Sequence, residues 1–236
     1  PEPADALFAV LRRDPGMPSI RMFGDVHMTG NGKAIDRITL SNGTLTVRVM
    51  TLGAILNDLR LAGVGYPLTL GCEDASAYLE EMAFFGAVVG PVANRIAGAS
   101  TSVEGRTYEF ERNENDRTTL HGGFTGTYAR LWSISDFSAT ALRLGLELRD
   151  GEGGFPGNRR LEAEYALEGP ALRLTLTAET DAPTPFNLAH HGYWNMDGTP
   201  SVARQRLRIA ADHFLPVDDD LIPTGEIAPV ADTAFD

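Results

Sequence analysis

Apolar and polar residues alternate along several stretches of this 236-residue chain. The alternation is clearest in four segments, at residues 45–49, 142–148, 161–165 and 172–176. A period of two places apolar side chains on one face of an extended chain and polar side chains on the other. The pattern therefore predicts β-strands that each bury one face.

Turn and helix signals fit the same interpretation. Asn42-Gly43 follows the apolar residues 38–40, and an Asn-Gly pair readily takes the positive φ angles of a tight hairpin turn. The best helix candidate is short, at residues 74–81, with Asp74 placed to cap its first turn. Glycine and proline clusters separate the other segments. We therefore expect an all-β fold, in the form of a packed β-sandwich.

Length and composition favour a single domain. With 236 residues, of which 43% are hydrophobic, the chain can bury a sizeable core. Residues 1–20 lack clear periodicity and are predicted to be a peripheral N-terminal arm, which leaves residues 21–236 as the sandwich domain. The longest apolar stretch, at residues 82–93, is too short to span a bilayer and contains Pro91. We expect a soluble cytoplasmic protein, or a periplasmic one if a leader has been removed.

Charge and cysteine content exclude several classes of function. The 32 Asp and Glu residues outnumber the 20 Lys and Arg residues and give a formal charge of -12, which would repel nucleic acid and anionic lipid. Cys72 is the single cysteine, so it cannot form an internal disulfide or a cysteine-based zinc site. Its simplest role is that of a small buried hydrophobic residue. No metal or cofactor is expected.

The glycines after His121 make this histidine a candidate for chemistry. In Leu120-His121-Gly122-Gly123, the glycines remove bulk and permit backbone angles that would let a ligand approach the imidazole. The alternative is a turn whose histidine bonds a neighbouring strand. The tetrapeptide alone leaves both open.

Two adjacent histidines, His190 and His191, form a second candidate. Histidine can exchange a proton near neutral pH, which suits general acid or base catalysis. If this segment is extended, neighbouring side chains point to opposite faces, so at most one of the two lines a given pocket. A purely structural role for either residue stays open.

An arginine and a glycine-rich turn are weaker candidates. Arg95 follows Asn94, and its guanidinium offers planar donors for hydroxyl or carboxylate oxygens. Without further context, a solvent-exposed arginine is the better interpretation. Residues 150–154 lack the pattern of a calcium loop or a dinucleotide fingerprint and are predicted to be a solvated turn. No Gly-x-Ser-x-Gly nucleophile elbow is present.

Five segments of the chain form an ordered set. They are residues 85–96, residues 120–123 followed by Trp132, and residues 150–157, 184–195 and 215–226. Taken together, they resemble the aldose 1-epimerase (galactose mutarotase) family in order and spacing. The resemblance covers about residues 35–236. It implies a large twisted β-sandwich, mostly antiparallel, with an open sugar cleft and no metal or organic cofactor.

The resemblance implies an activity and a set of site residues. The activity is interconversion of the α and β anomers of a free aldose, such as galactose or glucose, by acid-base opening and reclosure of the ring. His191 aligns with the family's general acid, and His121 with its second active-site histidine. Arg95 aligns with a contact to sugar hydroxyls, and Asn94 and Tyr193 are further candidates for substrate binding. We expect His121, His191 and Arg95 to converge on one solvent-open cleft, with His190 facing away.

Some features depart from the family pattern. Pro91 stands where relatives often have a polar residue, His190 where they usually have Asn, and Gly192 where they usually have Ser or Thr, so sugar preference is left open. The family's general-base Glu and a sugar-binding Asp come from a region beyond residue 236, and neither is assigned here. The resemblance therefore implies that the sandwich domain at residues 21–236 lacks its C-terminal part. A non-catalytic carbohydrate-binding β-sandwich is therefore the alternative. An enzyme acting on sugar phosphates would need a basic cluster, which the acidic balance disfavours.

Overall fold

The computed structural model describes residues 20–22 and 34–236. All but the last residue of the predicted N-terminal arm at 1–20 lies outside the described residues. The strands of the described part, in chain order, are β1 (Ile20–Met22), β2 (Asp36–Ser41), β3 (Leu45–Met50), β4 (Leu56–Leu61), β5 (Val88–Val89), β6 (Arg95–Ile96), β7 (Ser100–Val103), β8 (Arg106–Glu109), β9 (Thr119–Leu120), β10 (Ser133–Phe137), β11 (Ala141–Leu148), β12 (Arg159–Glu168), β13 (Ala171–Thr180), β14 (Ala189–His190), β15 (His213–Phe214) and β16 (Ala228–Pro229).

Two four-stranded antiparallel sheets form the body of the fold. Their strand orders are β1-β2-β3-β4 and β10-β11-β12-β13. Four two-stranded antiparallel ladders, β5-β14, β6-β9, β7-β8 and β15-β16, complete the strand pairing of the described residues. All four segments in which the sequence alternates lie in strands, namely β3, β11, β12 and β13. The all-β prediction is confirmed.

The main core lies between the two large sheets. Val47 and Val49 of β3 belong to the same buried cluster as Leu144 of β11 and Tyr165 of β12. The apolar side chains of β3 and β12 therefore point into the core from the two opposite sheets, as a sandwich requires. Tyr165 is fully buried and donates its hydroxyl hydrogen to the Ala54 carbonyl at 2.8 Å, so its one polar atom is satisfied.

The Asn-Gly turn and the short helix form where the sequence predicts them. Gly43 has φ +84°, and the Asn42 side-chain oxygen accepts hydrogen bonds from the N–H groups of Thr44 and Leu45. Asp74 caps the predicted helix by accepting from the Ser76 N–H at 2.9 Å. That helix is the 3-10 segment Ala75–Leu79 rather than an α-helix over residues 74–81, and 3-10 geometry is common in helical pieces this short. The 3-10 helices of the described part are Ala75–Leu79, Ala97–Ala99, Thr127–Ala129, Glu152–Gly154 and Val202–Arg204.

A second apolar cluster supports the region in which the candidate site lies. Met50, Leu52 and Val89 are among its buried members, and Phe84 and Cys72 pack against it as half-buried side chains. Cys72 therefore packs as a hydrophobic residue, although it is only half-buried rather than buried. None of the helices in the described part has the length and apolar run needed to cross a bilayer.

Candidate functional site

His121 is held in place by the backbone of Asn94. The His121 N–H donates to the Asn94 carbonyl at 2.9 Å, and the Asn94 N–H donates to His121 Nδ1 at 3.0 Å. Both residues have positive φ angles, 53° for His121 and 60° for Asn94. Because Nδ1 accepts a hydrogen bond, we assign the proton of the neutral ring to Nε2. His121 thus presents an N–H donor on its other edge.

The glycines after His121 serve the packing of the chain. Gly122 has φ +88°, and a Cβ atom at this position would overlap the carbonyl oxygen of Gly90. A Cβ at Gly123 would meet the Glu111 carboxylate. The sequence argument expected these glycines to make room for a ligand, but neighbouring chain atoms occupy that room. They instead allow the His121 loop to approach the strand region around Gly90 closely.

His191 reaches the same place from a different part of the chain. It follows β14, which pairs with β5, and its N–H donates to the Ala87 carbonyl at 2.8 Å. The ring centroids of His121 and His191 are 5.0 Å apart, with an interplanar angle of 88°. Phe84 contacts both rings, at centroid distances of 4.8 Å and 6.0 Å.

His190 and His191 point in opposite directions, as predicted for an extended segment. The His190 ring lies edge-on to Tyr165 of the main core, with ring centroids 6.4 Å apart. It lines an apolar groove with Leu174 and Leu188, away from His121. Burial lowers the pKa of His190 below its ordinary value.

Arg95 lies beside His121 and is largely buried. It belongs to β6, where it pairs with Leu120 of β9. Its side chain is 16% exposed, and it forms a two-pronged ion pair with Glu114. The interpretation of Arg95 as an ordinary solvent-exposed arginine is therefore wrong.

Asn94 and Tyr193 form the open side of the same region. Asn94 is exposed, and its side-chain oxygen accepts a hydrogen bond from Arg95 Nη1 at 3.2 Å. Tyr193 is 38% exposed, stacks on Phe85 at 4.1 Å and lies 5.3 Å from the His191 ring. All five residues proposed from the sequence thus lie close together, between half-buried rings and exposed polar groups.

Comparisons with known proteins identify the family of the chain. The sequence model described as aldose 1-epimerase matches residues 36–236. The chain belongs to the aldose 1-epimerase family. Among the relatives, the galactose mutarotase of Rattus norvegicus is 36% identical over 220 residues, which cover 91% of this chain and 63% of the relative. The aldose 1-epimerase of Escherichia coli is 34% identical over 212 residues, which cover 87% of this chain and 61% of that relative. The chain therefore spans less than two thirds of the length of these relatives.

Solved structures in this family share the fold. The aldose epimerase homologue from C. elegans superposes with a TM-score of 0.81 at 31% identity, covering 86% of this chain and 64% of the other. The galactose 1-epimerase from Lactobacillus acidophilus superposes with a TM-score of 0.79 at 29% identity, covering 94% of this chain and 65% of the other. These likenesses confirm the mutarotase-like β-sandwich that the sequence resemblance implied.

At the candidate site, the surroundings of His121 keep its ring neutral. Burial lowers its pKa from 6.5 to about 4, and electrostatic interaction with His191 and with the Arg95 guanidinium acts in the same direction. Glu114 opposes them by favouring the charged ring. At neutral pH, His121 is thus a hydrogen-bond donor through Nε2 rather than a charged acid.

The predicted solvated turn at residues 150–154 is wrong in part. Asp150 is exposed, but Glu152 is half-buried and pairs with Arg130. Asp150 and Glu152 both lie near Arg159. Arg159 is 1% exposed and donates from Nε to the Gly157 carbonyl at 3.0 Å. The turn therefore encloses a buried guanidinium. A cleft of about 1110 Å³ is lined by this region and contains none of the five candidate site residues.

Sequence reasoning did not find Phe84 or Glu114 as parts of the site. Phe84 precedes the glycine-rich stretch and has an ordinary apolar context, and Glu114 lies in a polar loop. The residues next to Phe84 and Glu114 in sequence do not mark either as functional. Each contributes through contacts with residues distant in sequence, Phe84 with the two histidines and Glu114 with Arg95. Among the described residues, no group of three or more His, Cys, Asp or Glu side chains is placed to hold a metal ion.

Proposed function

We propose that this protein is an aldose 1-epimerase that interconverts the α and β anomers of a free aldose, with galactose and glucose as first candidates. The observation that carries the proposal is the placement of His121, His191 and Arg95 in one half-open site. Family membership supports the reaction type and a free sugar as substrate. Cytoplasmic location and the domain boundary at residue 20 stay predictions.

The proposed reaction opens and recloses the sugar ring. A carboxylate takes the proton of the anomeric hydroxyl while His191 protonates the ring oxygen, so that the bond between the anomeric carbon and the ring oxygen breaks and an aldehyde forms. Rotation about the adjacent carbon-carbon bond and reversal of the proton transfers give the other anomer. No proton is gained or lost overall. We assign the carboxylate to none of the residues 34–236.

The other residues bind and orient the sugar in this proposal. His121 donates its Nε2 hydrogen to a sugar oxygen, since Nδ1 is occupied by Asn94. Arg95 and Asn94 offer donors to hydroxyl groups, and the exposed face of Tyr193 packs against the sugar ring. Fixed donors of this kind favour the reaction by orientation and by stabilising developing charge.

The test of this proposal follows the interconversion of the anomers of D-galactose and D-glucose by proton NMR, starting from the α anomers. The assay uses the protein expressed from its full gene, because the general base is assigned to none of residues 34–236. We expect this protein to accelerate exchange, and His191→Gln to lower the rate by about 10² to 10⁴. His213→Gln, at an exposed histidine outside the site, is the matched control and should keep the wild-type rate. Equal rates for His191→Gln and the wild type would contradict the role of His191.

A further inference from the structure

Arg95 and Glu114 form a two-pronged ion pair at the candidate site. Arg95 Nε donates to Glu114 Oε2 at 2.7 Å, and Nη2 donates to Oε1 at 2.6 Å. The Arg95 side chain is 16% exposed and that of Glu114 is 22% exposed. Such a pair fixes the plane of the guanidinium as well as its position.

The loop between β8 and β9 holds the Glu114 carboxylate in turn. The Thr118 hydroxyl donates to Glu114 Oε2 at 2.8 Å, and the N–H groups of Arg117 and Thr118 donate to the Glu114 carbonyl at 3.0 Å and 3.2 Å. The hydrogen bond from Arg95 holds the pKa of Glu114 below its usual range. The carboxylate is therefore ionised and anchored at neutral pH.

The ion pair decides which donors of Arg95 remain. A guanidinium has five N–H groups. Among the described residues, Glu114 takes two of them and the Asn94 side-chain oxygen takes one from Nη1. One N–H then remains on each terminal nitrogen, which suits contact with two neighbouring oxygens of a ligand.

We propose that Glu114 is a positioning residue of this site, which fixes Arg95 so that its two remaining N–H groups face the sugar. The inference rests on the proposed function. Glu114 touches no substrate in this account and acts only through Arg95. Its charge also offsets part of the effect of Arg95 on the neighbouring His121.

Glutamine cannot replace Glu114 in this role. Its side chain has the same size but only one accepting oxygen, and its NH₂ group would face an N–H donor of Arg95. Glu114→Gln therefore breaks one prong of the pair with little change in volume. Glu114→Asp keeps the charge with a shorter reach and should restore part of the effect.

The first measurement needs no catalytic activity. Proton-nitrogen NMR follows the Arg95 Nε–H signal, which is assigned by its loss in Arg95→Lys. We expect this proton to exchange slowly with water in the wild type and at least tenfold faster in Glu114→Gln. The matched control is Glu168→Gln, which disrupts the exposed pair of Glu168 with Arg173 at the β12-β13 hairpin and should leave the Arg95 signal unchanged.

The second measurement is anomer exchange by the same variants. We expect kcat/KM to fall by about tenfold to a hundredfold in Glu114→Gln, to recover in part in Glu114→Asp, and to stay at the wild-type value in Glu168→Gln. Circular dichroism and thermal midpoints check that all variants are folded. Because a misplaced donor affects sugar contacts, the loss should appear in KM as well as in kcat.

The outcomes separate this inference from the proposed function. If the wild-type protein expressed from its full gene shows no anomer exchange, the proposed function is overturned, and with it the role of Glu114 in that reaction. An active wild-type chain whose Arg95 Nε–H exchanges equally fast with and without Glu114 overturns the role of Glu114 alone. Wild-type kinetics in a folded Glu114→Gln variant overturn it as well.

Discussion

Acidification provides a direct test of the surroundings of His121. Burial, together with electrostatic interaction with His191 and Arg95, lowers the pKa of His121 from 6.5 to about 4 in the folded protein, against the smaller opposing effect of Glu114. In the unfolded chain, the ring is exposed to water and recovers the ordinary value. The unfolded state therefore binds more protons than the folded state between about pH 6.5 and pH 4.

The sign and size of the effect follow from this difference. Stability contributed by His121 is present above pH 6.5 and is lost as the pH falls toward 4. With about 1.4 kcal/mol for each pKa unit, lowering the pH from 7 to 5 should remove about 2 kcal/mol of unfolding free energy. Since the ring is only half-buried and water screens part of the interaction, we expect a loss of about 1 to 2 kcal/mol.

Urea unfolding at pH 7 and pH 5 measures this loss. The wild type should lose about 1 to 2 kcal/mol more than His121→Gln between the two pH values. His213→Gln, at an exposed histidine, should lose as much as the wild type. Burial also lowers the pKa of His190, but that residue is present in all three proteins, so its contribution cancels in the comparison. Equal losses in His121→Gln and the wild type would refute the reasoning.

Three further outcomes are expected. Gly43→Ala should lower the free energy of unfolding in urea by about 1 to 2 kcal/mol, because Gly43 has a positive φ. Gly122→Ala should cost more, because Gly122 has a positive φ and its added Cβ would also overlap the Gly90 carbonyl. Equal losses in the two variants would contradict this reasoning. Tyr165→Phe should cost about 1 to 3 kcal/mol, since it leaves the buried Ala54 carbonyl without its donor, and an unchanged urea midpoint would contradict the importance of that bond. EDTA should leave anomer exchange unchanged, and a rate restored only by added zinc or calcium would contradict metal-independent chemistry.

Periodicity and turn chemistry were sufficient to predict the large sheets. Residues 142–148 and 161–165 alternate in sequence and pair side by side in β11 and β12. Their apolar side chains point toward the core, because the period of two that marks a half-buried strand places every second side chain on the same face. Asn42-Gly43 was predictable because its conformational preference is local. These features depend on neighbouring residues only, so the sequence carries them directly.

The partners of the site residues could not be predicted in this way. Arg95 and Glu114 lie in separate segments, and nothing in either segment indicates that the guanidinium and the carboxylate meet. Arg159 is charged and stands at the start of a strand, where exposure is the ordinary expectation, yet carbonyl groups of a folded turn surround it. Both arrangements depend on tertiary contacts, and single-sequence patterns do not encode such contacts.

The way in which the site is assembled explains why motif resemblance found it and periodicity did not. His121 follows β9 in the two-residue ladder β6-β9, and His191 follows β14 in the two-residue ladder β5-β14. Ladders this short have no measurable alternation, and they are held by backbone hydrogen bonds and by close approaches such as that of Gly122 to Gly90. Thr127 links the His121 loop to β5 by donating its hydroxyl hydrogen to the Val88 carbonyl at 2.6 Å. The histidines are thus positioned by a few specific residues, so a substitution in one ladder should disturb both rings while the large sheets stay intact.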